Sequence, residues 1–290
     1  PEDILKKYGA DILRIWVASS NYAEDLRIDY SILDQHAESY RKIRNTFRYL
    51  LGNINDNFEE VNLEKIDIKK LPELEQFMLH KIYSLDLKFK KYFKNYDFHN
   101  LYKEMLNFCA VDLSAFYFDI RKDCLYCDTK DSNKRQSTIL ILKIILNALL
   151  KWFAPILSFT TEEIFKLVGN KKSIHLEKFV NFPVNFKNDN LNLKWLELIK
   201  IRDICNLSIE EKRSAKIIGS SLEALLKIKL NKKNFEIVKD VNLSELCITS
   251  SAQVEKIEQN EVLVETEKAK GNKCSVCWKI SVKPCERHGA

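Results

Sequence analysis

Six glycines and five prolines punctuate a chain of 290 residues, and this scarcity constrains the fold more than any other feature. Gly and Pro are the strongest local breakers of regular structure, so few turns are encoded and long helices are expected. A first short helix opens at Pro1 and stops at Gly9. A second covers Ala10–Ser19, with Ile12, Ile15 and Trp16 on one packing face. Residues 21–30 break the periodicity and form a connection carrying Arg27. Ser31 is placed to cap a long helix reaching residue 53, in which Leu33, Ala37, Tyr40, Ile43, Phe47 and Leu50 recur at helical spacing. Residues 54–71 are polar and aperiodic and read as a boundary or surface loop.

Pro72 opens the next helix, with Leu74, Phe77, Met78, Leu85 and Phe89 as its core side, and Asp97 caps another running from Phe98 to near Arg121. That helix is rich in aromatics (Phe98, Tyr102, Phe108, Phe116, Tyr117, Phe118). Such rings can stack on bases, but at this spacing in a bundle they read as core. Ser132 caps the helix holding the most apolar run, residues 139–153, and Pro155 stops it. Lys143, Asn147 and Lys151 interrupt the run, which reads as too short and too charged for a membrane span. Thr160-Thr161-Glu162-Glu163 has capping-box spacing for a short helix ending at Gly169. Residues 170–190 read as mixed loop with a short strand at 174–176, and a long helix covers 191–213. The fold class is therefore mainly α, an antiparallel helical bundle.

Past Gly219 the texture changes. Residues 222–230, 245–249 and 261–264 alternate like strands, with a helical segment at 234–238, so a small α+β unit follows the bundle. The expected divisions are 1–30, 31–215, 216–270 and 271–290.

The formal net charge is +6, from 47 basic and 41 acidic residues. That excess is mild, so a polyanion-binding surface has to come from local clustering. Arg41, Arg44 and Arg48 fall beside the apolar stripe of their helix, within about one-fifth of its circumference. They make either a phosphate-binding ridge or a solvated face whose alkyl stems cover the core.

No phosphate-binding glycine loop, dinucleotide fingerprint or nucleophile elbow is present. His36, His80, His99 and His175 are isolated, and the acidic pairs 162–163 and 210–211 sit on helices, so no active centre is visible. Five of the eight cysteines (Cys109, Cys124, Cys127, Cys205, Cys247) are scattered through a long chain, which fits a reducing cytoplasm better than a disulfide framework. Cys124 and Cys127 form a C-x2-C with no second half nearby and read as structural.

The remaining three cysteines lie in the last seventeen residues, as Cys274-x2-Cys277-Trp278 and Cys285-x2-His288. Two such knuckles supply four soft or borderline ligands for tetrahedral Zn²⁺, about 2.3 Å from each sulfur. Closed four-ligand coordination leaves no open position for catalysis, so the site reads as structural. Metal binding would supply the folding free energy of a unit with almost no core.

These stretches, in order, resemble the C-terminal part of the bacterial isoleucyl-tRNA synthetases, a family of class I aminoacyl-tRNA synthetases. The resemblance rests on residues 7–19, 24–28, 40–51, 154–163, 211–213 and 218–224, and on the Cys274-x2-Cys277-Trp278 knuckle. It implies a fragment beginning just past the family's mobile K-M-S-K-S loop, an expectation that a first residue of Pro rather than Met also suggests. The whole enzyme would use ATP and Mg²⁺ to activate isoleucine and then charge tRNA(Ile), in the cytoplasm, as a monomer without membrane association. Catalytic and editing domains would lie upstream in the same polypeptide, so no catalytic residue carries over. This part would supply the anticodon-binding bundle and the zinc domain.

Arg27 matches the family's arginine in Asp-x-Arg-Ile, which implies a tRNA contact and favours an RNA-facing role for Arg41 and Arg44, with Arg48 left solvated. Trp278 matches the tryptophan that meets the anticodon; its other reading is a hydrophobic plug for the zinc unit. Two positions depart from the family: Val276 stands where an arginine is common, and His288 where the fourth ligand is usually cysteine. The competing readings are a stand-alone zinc-stabilised module for nucleic acid or protein, and a DNA-repair type zinc finger, which the bundle argues against.

Overall fold

The computed structural model describes residues 2–54 and 60–289. Pro1, expected to open the first helix, and residues 55–59 of the expected loop lie outside them. By internal contacts the chain divides into two compact units, residues 1–121 with 130–187, and residues 122–129 with 188–290.

The first unit is helical. Its elements are α1 (Glu2–Tyr8), α2 (Ala10–Ser19), α3 (Tyr30–Asn53), α4 (Glu73–Lys94), α5 (Phe98–Asn107), α7 (Asn133–Phe153) and α8 (Ser158–Leu167). A π-helical stretch, Phe108–Phe118, continues α5 into α6 (Asp119–Cys127), whose residues from 122 on are counted in the second unit, so the helical run expected to end near Arg121 extends six residues further. Most of its aromatics are core: Tyr102, Phe108, Phe116, Tyr117 and Phe118 are buried, while Phe98 is half-buried. Trp152 centres this core, with the rings of Phe89 and Phe108 edge-on at 4.9 and 6.1 Å and its Nε1 donating to Asp86 at 3.0 Å. By length and composition α7 is apolar enough to cross a membrane, contrary to the sequence expectation, because the helix begins earlier than the apolar run. Two-thirds of its apolar window is buried and it packs against α3, α4 and α8, which marks it as the core helix.

Several helix ends are set by residues distant in sequence. Asp11 on α2 accepts from the N–H of Phe159 (3.3 Å) and from the N–H and Oγ1 of Thr160 (2.8 and 2.6 Å), capping α8 from 148 residues away. This replaces the expected capping box at Thr160, which lies inside the first turn. Arg14, one turn along α2, donates to the carbonyls of Ile156 (2.8 Å) and Pro155 (2.6 Å) just past the end of α7. At α3 the cap is Asp29, whose Oδ1 accepts from Ile32 N–H at 2.8 Å; Ser31, expected to cap, bonds to Asp29 instead. A buried network also ties α4 to the bundle. The Glu75 carboxylate accepts from Arg121 at 2.7 and 2.6 Å, from Tyr117 at 3.1 Å and from Thr138 at 3.2 Å. The strand expected at 174–176 is a 3₁₀ turn capped by Ser173.

In the second unit α9 (Asp189–Ser214) packs on a three-stranded sheet of order β2-β1-β3. β1 (Ala224–Leu230) buries Ala224, Leu226, Ile228 and Leu230 with the period of two expected of a strand covered on one face. It pairs parallel with β2 (Ser251–Lys256) and antiparallel with β3 (Leu263–Lys268). The parallel pairing needs a crossover, supplied by α10 (Lys232–Val238) and α11 (Leu243–Leu246). The strand expected at 245–249 is therefore displaced: Asn242 caps α11 by accepting from Glu245 N–H at 3.1 Å, and the strand follows it. A two-residue ladder, β4 (Asn272–Lys273) with β5 (Ile280–Ser281), closes the loop that carries the first knuckle. Gly271 precedes it at φ 120°, where a Cβ would collide with the Ser281 carbonyl.

Candidate metal centre and nucleic-acid interface

The ladder returns the chain on itself so that Cys274 and Cys277 face one another across a tight turn. Cys274 N–H donates to Lys279 O at 2.9 Å, and Trp278 N–H donates to Cys274 O at 3.0 Å. The second knuckle turns likewise, with the N–H groups of His288 and Gly289 donating to Cys285 O at 3.1 and 2.7 Å. The structure brings all four expected ligands together: one atom each of Cys274, Cys277, Cys285 and His288 lies within 4.8 Å of the others, a cluster that can hold a metal ion. Cys277 Sγ is 3.8 Å from Cys285 Sγ, and His288 Nδ1 is 3.5 Å from Cys274 Sγ and 3.3 Å from Cys285 Sγ.

The backbone favours the anionic form of two of these thiols, Cys274 and Cys285. The N–H groups of Cys277 and Val276 point at the Cys274 sulfur and push its thiol down to about 6. At Cys285 burial opposes ionisation, but the N–H groups of Arg287 and His288 outweigh it and the shift is downward. Burial raises Cys277. The Cys127 carbonyl raises His288.

Trp278 follows the second ligand in the left-handed region, φ 64°, a conformation that a bulky residue keeps only where its surroundings impose it. The turn leaves the residue 58% exposed, with Lys273 Nζ 5.4 Å from the ring centroid. A groove of about 580 Å³ beside the knuckle is lined by Lys273, Lys279 and Lys283 together with Asn242, Ser250 and Asn272. Residues 268–290 hold six basic side chains against one acidic, most of the excess positive charge of the chain. These lysines belong to no motif, and only a running charge count along the chain marks them.

In the first unit Arg41, Arg44 and Arg48 line one groove of about 690 Å³ between α3 and α8, with Tyr40, Thr160 and Glu163. Arg41 is paired with Glu38 on its own helix, whereas Arg44 and Arg48 are exposed and have no ion-pair partner among the described residues. Arg27 does not line this groove; it sits exposed in the connection before α3, its carbonyl accepting from Trp16 Nε1 at 3.2 Å. On the other flank of α3, a groove of about 510 Å³ is lined by Lys42 and Lys103 with Asn100 and Asn107. Both lysines are exposed and without an ion-pair partner among the described residues, while nearby Glu104 is occupied by Lys88 at 3.1 Å and Tyr92 at 2.9 Å.

The chain is similar along nearly its whole length to isoleucine–tRNA ligases. It is 69% identical over 289 residues to that of Pelagibacter ubique (strain HTCC1062), covering 99% of this chain and 32% of the relative. It is 37% identical over 294 residues to that of Kosmotoga olearia, covering 97% and 32%, and 40% identical over 288 residues to that of Caldicellulosiruptor saccharolyticus, covering 97% and 31%. The chain thus spans about a third of the length of these relatives. Residues 75–230 match the family model described as the anticodon-binding domain of tRNA ligase. With more than half of its length inside that match, the chain belongs to the family of tRNA-ligase anticodon-binding domains.

Proposed function

We propose that this chain is the tRNA-recognising C-terminal part of an isoleucine–tRNA ligase. The observation that carries the reading is Trp278, an exposed indole held on a rigid turn between two ligands of a metal-type cluster and beside a lysine-lined groove. A fixed aromatic face next to cations is how single-stranded nucleic acid is held, bases on the ring and phosphates on the charges. In this reading Trp278 meets the anticodon loop, and Arg27, Arg41 and Arg44 contact the phosphate backbone. The whole protein activates isoleucine with ATP and Mg²⁺ in upstream domains of the same polypeptide and transfers it to tRNA(Ile) in the cytoplasm, acting as a monomer. Functionally, residues 1–30 close the upstream catalytic part, 31–215 form the anticodon-binding bundle, 216–270 the junction and 271–290 the metal unit.

The metal we assign to the cluster is zinc. Tetrahedral bonds of about 2.3 Å to sulfur and about 2.0 Å to nitrogen make ligand–ligand edges of roughly 3.5–3.8 Å. The separations of 3.3, 3.5 and 3.8 Å fit that polyhedron. Three thiolates and one imidazole are also a donor set that zinc favours. With four protein ligands no position remains for substrate, so the ion's contribution is folding free energy and a rigid mount for Trp278. The stand-alone module is the less favoured reading, because the whole chain aligns with one part of much longer ligases. The test is binding of a tRNA(Ile) transcript at fixed salt. Affinity no greater than for an unrelated tRNA overturns the assignment of specificity.

A further inference from the structure

The surroundings of the metal cluster reach about 160 residues back along the chain, into residues 122–129, which belong to the same compact unit. His288 Nε2 lies 3.1 Å from the carbonyl oxygen of Cys127. A carbonyl only accepts, so Nε2 carries the proton, and the lone pair of the neutral ring sits on Nδ1, facing the sulfurs of Cys274 and Cys285. That is the tautomer a metal ligand needs.

Arg287, the neighbouring residue, is fixed on the same segment. Its Nη1 is 2.7 Å from Asp128 Oδ1 and 2.7 Å from Asp123 Oδ2, and its Nη2 donates to Asp123 Oδ1 at 2.9 Å. The planar guanidinium makes a forked contact with Asp123, which a flexible ammonium cannot reproduce. On the other half of the cluster, Cys127 Sγ lies 3.7 Å from Val276 O. One short segment therefore touches both knuckles.

We propose that residues 123–128 are the outer shell and docking platform of the metal centre. The Arg287 clamp on Asp123 and Asp128 holds the second knuckle in place, and the Cys127 carbonyl then sets the proton of His288. Metal binding and docking are one linked equilibrium, in which each strengthens the other by the same factor. Asp123, Asp128 and Arg287 are positioning residues that do not themselves offer ligand atoms to the cluster. The Cys124-x2-Cys127 pair also acquires a use: Cys127 serves through its carbonyl, and its thiol is not a ligand.

The inference rests on the metal reading, and the experiment separates the two. Zinc affinity of the full chain is measured by competition with a chromophoric chelator for the wild type, Arg287→Ala, Arg287→Lys and the Asp123→Asn/Asp128→Asn double variant. Outer-shell partners are typically worth 10- to 100-fold in affinity, so Arg287→Ala and the double variant are expected to weaken zinc by about that factor, with Arg287→Lys recovering part of the loss. If Arg287→Ala fails to fold, Asp128→Asn alone is expected to give a smaller loss of the same sign. Zinc is also expected to slow amide hydrogen exchange at residues 123–129 in the wild type, and less so in Arg287→Ala. In the Co²⁺-loaded chain, Cys127→Ser is expected to keep the full thiolate charge-transfer intensity. Absence of zinc binding by the wild type overturns the metal reading itself. Wild-type affinity in Arg287→Ala and the double variant, zinc-independent exchange at 123–129, or lost thiolate intensity in Cys127→Ser overturns the clamp alone.

Discussion

Replacing Trp278 by Ala isolates the stacking contact with little disturbance elsewhere. The residue holds its place through backbone geometry, an N–H bond to Cys274 O at 3.0 Å and φ 64°, and both persist without the indole. Alanine bears nearly the same left-handed penalty as tryptophan, so the folding term largely cancels. What is lost is the exposed ring face, and base–aromatic stacking is worth about 1–3 kcal/mol per base. At about 1.4 kcal/mol per tenfold, Trp278→Ala should weaken tRNA(Ile) binding by about 5- to 150-fold. Trp278→Phe keeps a smaller ring and should fall between. The assay is a direct binding titration of a tRNA(Ile) transcript in about 0.15 M salt, alongside metal analysis of each variant. The slope of affinity against salt should stay unchanged, because the indole is neutral. Wild-type affinity in Trp278→Ala at full metal content would refute the stacking argument. Loss of metal from that variant would show the indole to be a plug for the knuckle.

Other outcomes follow from the same geometry. Arg44→Ala, Arg48→Ala, Lys42→Ala and Lys103→Ala should each lower the salt slope of tRNA binding by about one for every phosphate contact removed; an unaltered slope in all four would leave both flanks of α3 merely solvated. Cys277→Ala should abolish stoichiometric zinc and unprotect residues 271–289 in hydrogen exchange, and retained zinc by mass spectrometry would exclude Cys277 as a ligand. Zinc affinity should fall as the pH drops. Metal takes thiolate and neutral imidazole, whereas the metal-free site holds the protons of Cys277 and His288 above their ordinary ranges, so protons compete at those two residues before they reach Cys274, near its shifted value of about 6. A pH-independent affinity between about 5 and 8, a window that spans the ordinary imidazole range, would contradict that order. Glu75→Gln leaves the buried Arg121 guanidinium without its counter-charge and should cost about 3 kcal/mol in a denaturant titration, the lower end for breaking a buried pair; a loss below about 1 kcal/mol, which is the range of exposed pairs, would show that the network is solvated.

What was legible in the sequence was local. Helical stripes on α3, α4 and α7 could be read because their periodicity lies within one element, and the four cluster residues because ligand spacing is a local property of a tight turn. The misses involve partners far apart. The N-terminus of α8 is capped by Asp11, 148 residues upstream, which no inspection of Thr160 and its neighbours reveals. Residues 245–249 have strand-like alternation, yet Asn242 caps the helical turn α11 that takes in the first two of them, and β2 forms only after that turn has closed. Lys42 and Lys103 belong to different helices and become one groove only when α3 and α5 pack. The Arg287 contacts beside the cluster are equally out of reach of local pattern, since Asp123 and Asp128 precede Arg287 by about 160 residues.

The two kinds of contact proposed for tRNA differ in the physics that would hold them. Arg44, like the other exposed cations Arg48, Lys42 and Lys103 on both flanks of α3, reaches out on a long stem from a helix whose opposite face is buried in the core, so its position is approximate and its attraction for a polyanion depends on charge. Such contacts release counterions, weaken steeply with salt and carry no sequence information. Trp278 has two rotatable side-chain bonds and a backbone fixed between two cluster ligands, so it loses little freedom on binding and its contribution is nearly independent of salt. Lys273, which lines the 580 Å³ groove, places charge next to that ring, which combines both terms within the second unit. A titration over salt therefore separates them: variants of the cations change the slope, and variants of Trp278 displace the line without tilting it. If Trp278→Ala tilts the line, the indole acts by orienting Lys273 and its neighbours, and the stacking platform is the wrong description of this turn.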